Sequence, residues 1–178
     1  LTNDKKIHKK VESFKNLCFG KINRYNHDDI GWNYRFTNLQ AALGVSQLKR
    51  INSIIKRKKT IGKLYYKYLK DNKNFYIQSP SFKKIENIYW VVGILILNKN
   101  FTADSIKKKL SYYGIDTRSF FWPMNKQRII KKYNIKLKGN FKNSELISKY
   151  GFYLPSGLGT TKNEIKFICN KLISIFKN

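Results

Sequence analysis

The segment Gly31-Trp32-Asn33-Tyr34-Arg35-Phe36-Thr37-Asn38 sets an amide and a guanidinium among aromatic rings, just before the start of a helix. Thr37 or Asn38 can accept a hydrogen bond from the free amides of a first helical turn. A helix start also presents unpaired N–H groups and a positive dipole end, which together attract anions. Asn33 and Arg35 add donors suited to phosphate oxygens. An anion-binding reading therefore stands beside a plainer one. In the plainer reading the loop packs, Asn33 satisfies backbone groups and Arg35 pairs with an acid.

The rest of the chain holds no self-contained active site. Its two histidines, His8 and His27, are far apart in sequence, and His8 sits among lysines. There is no nucleophile elbow, no phosphate-binding loop and no zinc spacing. The ten acidic residues are spread thinly, without a pair suited to general acid–base work. Cys18 and Cys169 match neither a metal spacing nor a disulfide framework, which fits a reducing cytoplasm.

A net charge of +27 raises a nucleic-acid or anionic-membrane reading. The lysines, however, are scattered along the whole chain rather than gathered in one block. The accompanying wealth of Ile, Asn, Lys, Tyr and Phe is what an AT-rich genome encodes most easily. The expectation is a solvated basic surface with no nucleic-acid partner, whose field still favours anionic ligands. The longest apolar run, residues 89–97, is strand-sized and far short of the roughly 18 residues of a membrane helix. The chain opens on Leu1-Thr2-Asn3-Asp4 without a signal-peptide pattern, and Leu1 is expected not to be a natural start.

Periodicity supplies the elements that must carry these residues. Ile7, Val11, Phe14, Leu17 and Cys18 predict a helix over residues 5–19, capped by Asp4 and stopped by Gly20. Residues 21–36 read as an ordered loop, because Ile30, Trp32, Tyr34 and Phe36 are costly to leave in water. Thr37-Asn38 starts one long helix, or two with a break near residues 50–53, ending at Asp71-Asn72. Residues 88–97 read as a buried strand and 115–121 as a second strand, broken at Trp122-Pro123. Between them residues 103–113 form an amphipathic helix closed by Gly114. Short helices follow over 127–133 and 143–150, then a strand at Phe152-Tyr153-Leu154. Thr161 with Glu164 three residues on makes a capping box for the last helix, to Phe176. Strands separated by helices at these spacings make an α+β domain over the C-terminal hundred or so residues.

The segment from Gly31 to Gly44 resembles the Gly-Tyr-Asn-Tyr-Arg-Met-Thr-Asn-Leu-Gln-Ala-Ala motif of the DegT/DnrJ/EryC1/StrS aminotransferases, with Trp32 for Tyr and Phe36 for Met. Val45-Ser46-Gln47-Leu48-Lys49-Arg50 is similar to that family's continuation. So are Tyr89-Trp90, Gly114-Ile115-Asp116-Thr117-Arg118, Phe121-Trp122-Pro123-Met124 and Leu154-Pro155-Ser156-Gly157. The matches run in the family's order and span essentially the whole chain. Within the family the sequence resembles the GDP-perosamine synthase group, which aminates a 4-keto-6-deoxy sugar on a nucleotide.

The resemblance implies part of an α/β, pyridoxal 5'-phosphate-dependent enzyme of transferase fold type I, working as a cytoplasmic homodimer. Residues 1–70 would be the end of the large domain with connecting helices, and residues 71–178 the small α+β C-terminal domain. The lysine that carries the cofactor, and the acid that pairs with its ring, belong to family motifs upstream of Leu1. The resemblance therefore places no catalytic residue in this chain, and implies that it is inactive alone. Asn33 and Arg35 would reach across the dimer to the neighbour's cofactor phosphate or nucleotide. Arg118 and Asn125 would bind substrate from the small domain. Relatives often carry His where Asn125 stands, and an amide can hydrogen-bond there but cannot shuttle a proton. The substrates would be a sugar nucleotide and an amino-acid donor, glutamate, in glycan or lipopolysaccharide precursor synthesis. Two alternatives stay open: a dehydratase of the same family, with histidine in place of the upstream lysine, and a non-catalytic binding remnant.

Overall fold

Four helices begin at cap residues whose side chains the sequence places one step before an apolar periodicity. Asp4 starts α1 (Lys5–Lys15), its carboxylate accepting from the amides of Lys6 and Ile7. Thr37, Thr102 and Thr161 each form a reciprocal capping box, at α2 (Asn38–Lys49), α4 (Ala103–Ser111) and α7 (Lys162–Ile175). In this computed structural model the described residues are 1–20 and 25–177. Of the loop expected over residues 21–36, positions 21–24 lie outside that set. Two compact units divide the chain, Leu1–Ile51 and Asn52–Asn178.

In the first unit α1 ends at Lys15, four residues earlier than its periodicity predicts. Leu17 and Cys18 adopt φ of 63° and 49°, which a helix forbids. Their segment pairs with the later loop instead. The Leu17 amide donates to the Trp32 carbonyl, the Trp32 amide to Phe14, and the Tyr34 amide to Lys15. Gly31 permits this approach, since a Cβ there would sit 2.6 Å from the backbone of Leu17 and Cys18. The loop is ordered as expected, but its large apolar side chains are not buried. Ile30, Trp32, Tyr34 and Phe36 are exposed, and so are Leu39, Leu43 and Leu48 on α2, which buries no residue. Cys18 is the unit's one buried apolar side chain among the described residues.

The second unit owns the core. After Arg50 closes α2, α3 (Ile51–Leu69) follows, settling the long-helix question in favour of two helices. The sheet has the order β1-β4-β6-β5, every pairing antiparallel: β1 (Phe75–Ile77), β4 (Val92–Ile96), β6 (Gly151–Leu154) and β5 (Arg118–Ser119). Alternation in β4 buries Val92, Ile94 and Ile96. These pack with Ile61, Tyr65 and Leu69 of α3, Ile106 and Leu110 of α4, and Ile165, Ile168, Cys169 and Leu172 of α7. A small hairpin, β2 (Ser81–Phe82) with β3 (Ile85–Glu86), and β1 had no clear sequence signal. Helices α5 (Arg128–Lys132) and α6 (Lys142–Tyr150) and a single 3-10 turn, Met124–Lys126, complete the unit.

Two strands are shorter than the composition suggests. Residues 88–91 lie outside β4, because Tyr89 takes φ of 51° to bury its ring over Gly62. Of residues 115–121 only Arg118 and Ser119 pair with β6. Ile115 enters the core directly after Gly114, whose φ is 72°, and the Phe120 ring lies where a Cβ on Gly93 or Gly151 would clash. No helix among the described residues is long and apolar enough to cross a membrane. No group of metal-ligating side chains forms among them either.

Candidate functional site

The sequence-derived candidates fall in both units: Asn33 and Arg35 in the first, Arg118 and Asn125 in the second. Asn33 is held by an isolated bridge to Asn16, and Thr37 fixes the turn into α2 four residues later. Arg35 Nε donates to Asn33 Oδ1 at 3.2 Å. Neither side chain meets an acid among the described residues, so the pairing of Arg35 with a carboxylate is not formed here. Among the described residues the terminal guanidinium nitrogens of Arg35 and the Asn33 Nδ2 have no hydrogen-bond partner. Beside them, the Gln40 amide is consumed by Thr37 Oγ1 at 3.3 Å, while the amides of Asn38 and Leu39 have no intrahelical partner. This array of exposed donors at the positive end of a twelve-residue helix fits a phosphate. Trp32 stacks on Tyr34 at 6.2 Å and meets Phe14 edge-on at 6.1 Å, which stiffens the loop carrying Asn33.

In the second unit Arg118 lines a cavity of about 420 Å³ with Lys58, Trp90, Asp116, Tyr153 and Ser156. Two side chains of α3 latch onto the loop that follows β6. Arg57 donates to the carbonyls of Leu158 (3.1 Å) and Thr160 (2.6 Å), and Lys58 Nζ donates to the Ser156 carbonyl at 2.7 Å. Partial burial disfavours the Lys58 ammonium and lowers its pKa from the ordinary lysine value. The Tyr65 hydroxyl donates to the Pro155 carbonyl at 2.7 Å, and burial raises its pKa far above that of free tyrosine. Lys58 was invisible to sequence reasoning, and Ser156 appeared only as a member of a family-like segment. Lys58 is one lysine in a run of similar ones on α3, and only the fold sets it against residues 98 positions away.

Asn125 is not among the residues lining this cavity. It opens the side of the 3-10 turn toward α6, where its Nδ2 donates to Glu145 Oε1 at 2.7 Å. Lys126 Nζ meets the other oxygen of Glu145 at 2.9 Å. Lys126 and then Asn125 hold the Glu145 carboxyl below its ordinary pKa. The carboxylate fixes the amide orientation and leaves Asn125 Oδ1 buried with no partner among the described residues.

With these arrangements in view, known proteins supply a frame. The sequence profile of the DegT/DnrJ/EryC1/StrS aminotransferase family matches residues 1–173. The chain belongs to that family. It is 34% identical over 155 residues to a GDP-perosamine synthase of Vibrio cholerae, covering 86% of this chain and 41% of the relative. It is 28% identical over 178 residues to a GDP-perosamine synthase of Escherichia coli O157:H7, covering 100% of this chain and 47% of the relative. Among solved structures it superposes on PseC of Helicobacter pylori, an aminotransferase of pseudaminic acid biosynthesis, with a TM-score of 0.82 at 24% identity. That match covers 99% of this chain and 47% of the other, and it establishes the shared fold. The chain thus spans about half the length of the relatives it matches. The family is one of pyridoxal phosphate-dependent aminotransferases, and the fold is a part of theirs.

Proposed function

We propose that this chain serves, as part of a longer protein, in the transfer of an amino group to the 4-keto carbon of a 4-keto-6-deoxy sugar nucleotide. Glutamate is the donor, the cell compartment is the cytoplasm, and the product feeds glycan or lipopolysaccharide synthesis. The observation that carries this reading is the end-to-end family match together with the 34% identity to a GDP-perosamine synthase. On the same reading residues 1–70 close a large cofactor-binding domain, residues 71–178 are the small domain, and the molecule works as a homodimer. Without the upstream lysine the chain by itself is inactive.

Pyridoxal phosphate, when bound, supplies the electron sink and the carrier for the amino group. The residues of this chain bind and orient. Asn33 Nδ2, the outer nitrogens of Arg35 and the first amides of α2 hold a phosphate of the neighbouring subunit's site, a role supported by their exposure and lack of acidic partners. Arg118 contacts the substrate from the second unit. For Asn125 the reading is narrower. One Nδ2 hydrogen is committed to Glu145 and Oδ1 is buried, so contact with a substrate falls to the second Nδ2 hydrogen.

The test is an assay of the longer protein, including the coding sequence upstream of Leu1, with a 4-keto-6-deoxy sugar nucleotide and L-glutamate. Appearance of an aminated sugar nucleotide and 2-oxoglutarate in equal amounts supports the reading. Loss of a ring hydroxyl without amine incorporation would turn the reading to the dehydratase branch. No conversion at all would leave a binding remnant.

A further inference from the structure

The cavity beside β5 contains two cations to which the described residues offer no acid in ion-pair contact. Lys58 is half-buried, and among the described residues its ammonium is held only by the Ser156 carbonyl oxygen at 2.7 Å and Ser156 Oγ at 3.5 Å. Arg118 is exposed on β5, and its side chain makes no hydrogen bond or ion pair among the described residues. Asp116 lines the same space but pairs with neither. A cation drawn partly out of water and satisfied only by neutral oxygens keeps its charge available to a ligand.

One wall of the cavity is Trp90, which is 70% exposed. An indole open to solvent at the wall of a cavity offers a flat apolar face that a ligand can cover. Its position is not loose. The preceding Tyr89 is forced to φ of 51°, its ring is packed over Gly62, its amide donates to Asn87 Oδ1 at 2.8 Å and its hydroxyl to the Gln78 carbonyl at 2.9 Å. Backbone held in a sparsely populated region by that many contacts is a feature of sites that must present a neighbour in one place. The volume of about 420 Å³ suits a small ligand.

The geometry points to a binding site in which Lys58 and Arg118 together take an anionic oxygen group, a phosphate or carboxylate, while Trp90 covers the rest of the ligand. The inference deepens the proposed function and rests on it for the two sources of that anion. These are the diphosphate of the sugar nucleotide and the carboxylate of the amino donor. Lys58 is the added element, a specificity-determining cation that no family motif quoted above includes.

The test is calorimetric titration of the 178-residue chain at about physiological ionic strength, where exposed charges are screened. The probes are inorganic pyrophosphate, GDP and L-glutamate. Lys58→Gln and Arg118→Gln each remove one of the two cations. Lys138→Gln, on an exposed loop, removes the same charge elsewhere. The expected result is about a tenfold or greater loss of affinity for one probe class in each of the first two variants, as for a charge-assisted bond, and less than about twofold in the third. Dependence seen with pyrophosphate and GDP assigns the site to the diphosphate, and dependence seen with L-glutamate assigns it to the donor. In the first case Trp90→Ala weakens GDP more than pyrophosphate. Equal losses in all three charge variants, or no binding by a chain whose circular dichroism is native, overturns the inference. Lys58→Gln also loses the bond to Ser156. If it does not fold, Arg118→Gln decides, because that guanidinium supports no other residue. Binding in this chain does not need the upstream lysine, so failure here is distinct from failure of the amination assay.

Discussion

The two units of this chain use the same kinds of residue in opposite ways. In Asn52–Asn178 the apolar residues of α3, α4, β4 and α7 meet in one cluster, with Ile94, Ile106, Leu110 and Leu172 fully buried. In Leu1–Ile51 the apolar side chains of Leu39, Leu43 and Leu48 and the rings of Tyr34 and Phe36 stay in solvent. Helix periodicity is present in both. What differs is whether the chain supplies a second apolar layer to close over it. The first unit spends its order on backbone pairing around Gly31 and on a capped helix start. That suits a contact surface, whereas the second unit is a self-sufficient domain.

The largest effect that could break this contrast is on stability. Leu172→Ala or Ile94→Ala should lower the unfolding free energy by about 2–5 kcal/mol, while Leu43→Ala should change it by less than about 0.5 kcal/mol. Urea titration followed by circular dichroism checks both. A loss at Leu43 as large as at Leu172 would mean that α2 is buried in the folded chain.

The two cysteines sharpen the same comparison. Cys18 and Cys169 are each 1% exposed, one in each unit. Burial pushes the Cys169 thiol up to about 12, so it stays protonated and unreactive until its domain opens. Labelling with a thiol reagent at neutral pH should modify Cys18 at least about tenfold faster, the ratio for each 1.4 kcal/mol between local openings. Equal rates would show that the units open together.

Caps give a smaller effect. Thr161→Ala should cost about 1 kcal/mol in cooperative unfolding, because α7 is integral to the core. Thr37→Ala removes the same reciprocal bonds, yet it should appear only as faster hydrogen exchange at the amides of α2. A shift in the global midpoint for Thr37→Ala would count against independent units.

The smallest effect lies in the pH dependence. The Glu145 carboxyl is lowered by Lys126 and Asn125, so its folded pKa lies below its unfolded one. Its stabilising contribution is therefore fully present above the ordinary carboxylate range and fades as pH falls through the lower folded value. Unfolding midpoints measured from pH 6 down to 3, as approximate bounds around that range, should drop less steeply in Glu145→Gln than in the parent. An unchanged slope would show that the contact with Asn125 and Lys126 is not maintained in solution.

Much of this was legible from local chemistry. The starts of α1, α2, α4 and α7 follow from Asp4, Thr37, Thr102 and Thr161, because a cap bond involves residues two or three apart. The pair Asn33 and Arg35, proposed to bind an anion, could be named for the same reason. The early end of α1 could not, since it depends on Leu17 and Cys18 pairing with a loop beyond residue 26. Nor could the trimming of the strand at residues 115–121, which follows from where Phe120 finds room against Gly93 and Gly151. Asn125 was legible as a polar residue in a family motif. Its commitment to Glu145, twenty residues away, was not.

By itself the sequence determined the family, the order of the helices and of the strands from β4 onward, and which residues have the chemistry to bind anions. These are written in side-chain type, spacing and motif order, and they need no distant partner. Only the tertiary structure decided which apolar faces are closed, and that Lys58 meets Arg118 and Ser156 in one cavity. Burial and ion pairing depend on residues separated by tens of positions, and no local pattern records which of many similar lysines the fold will draw out of water.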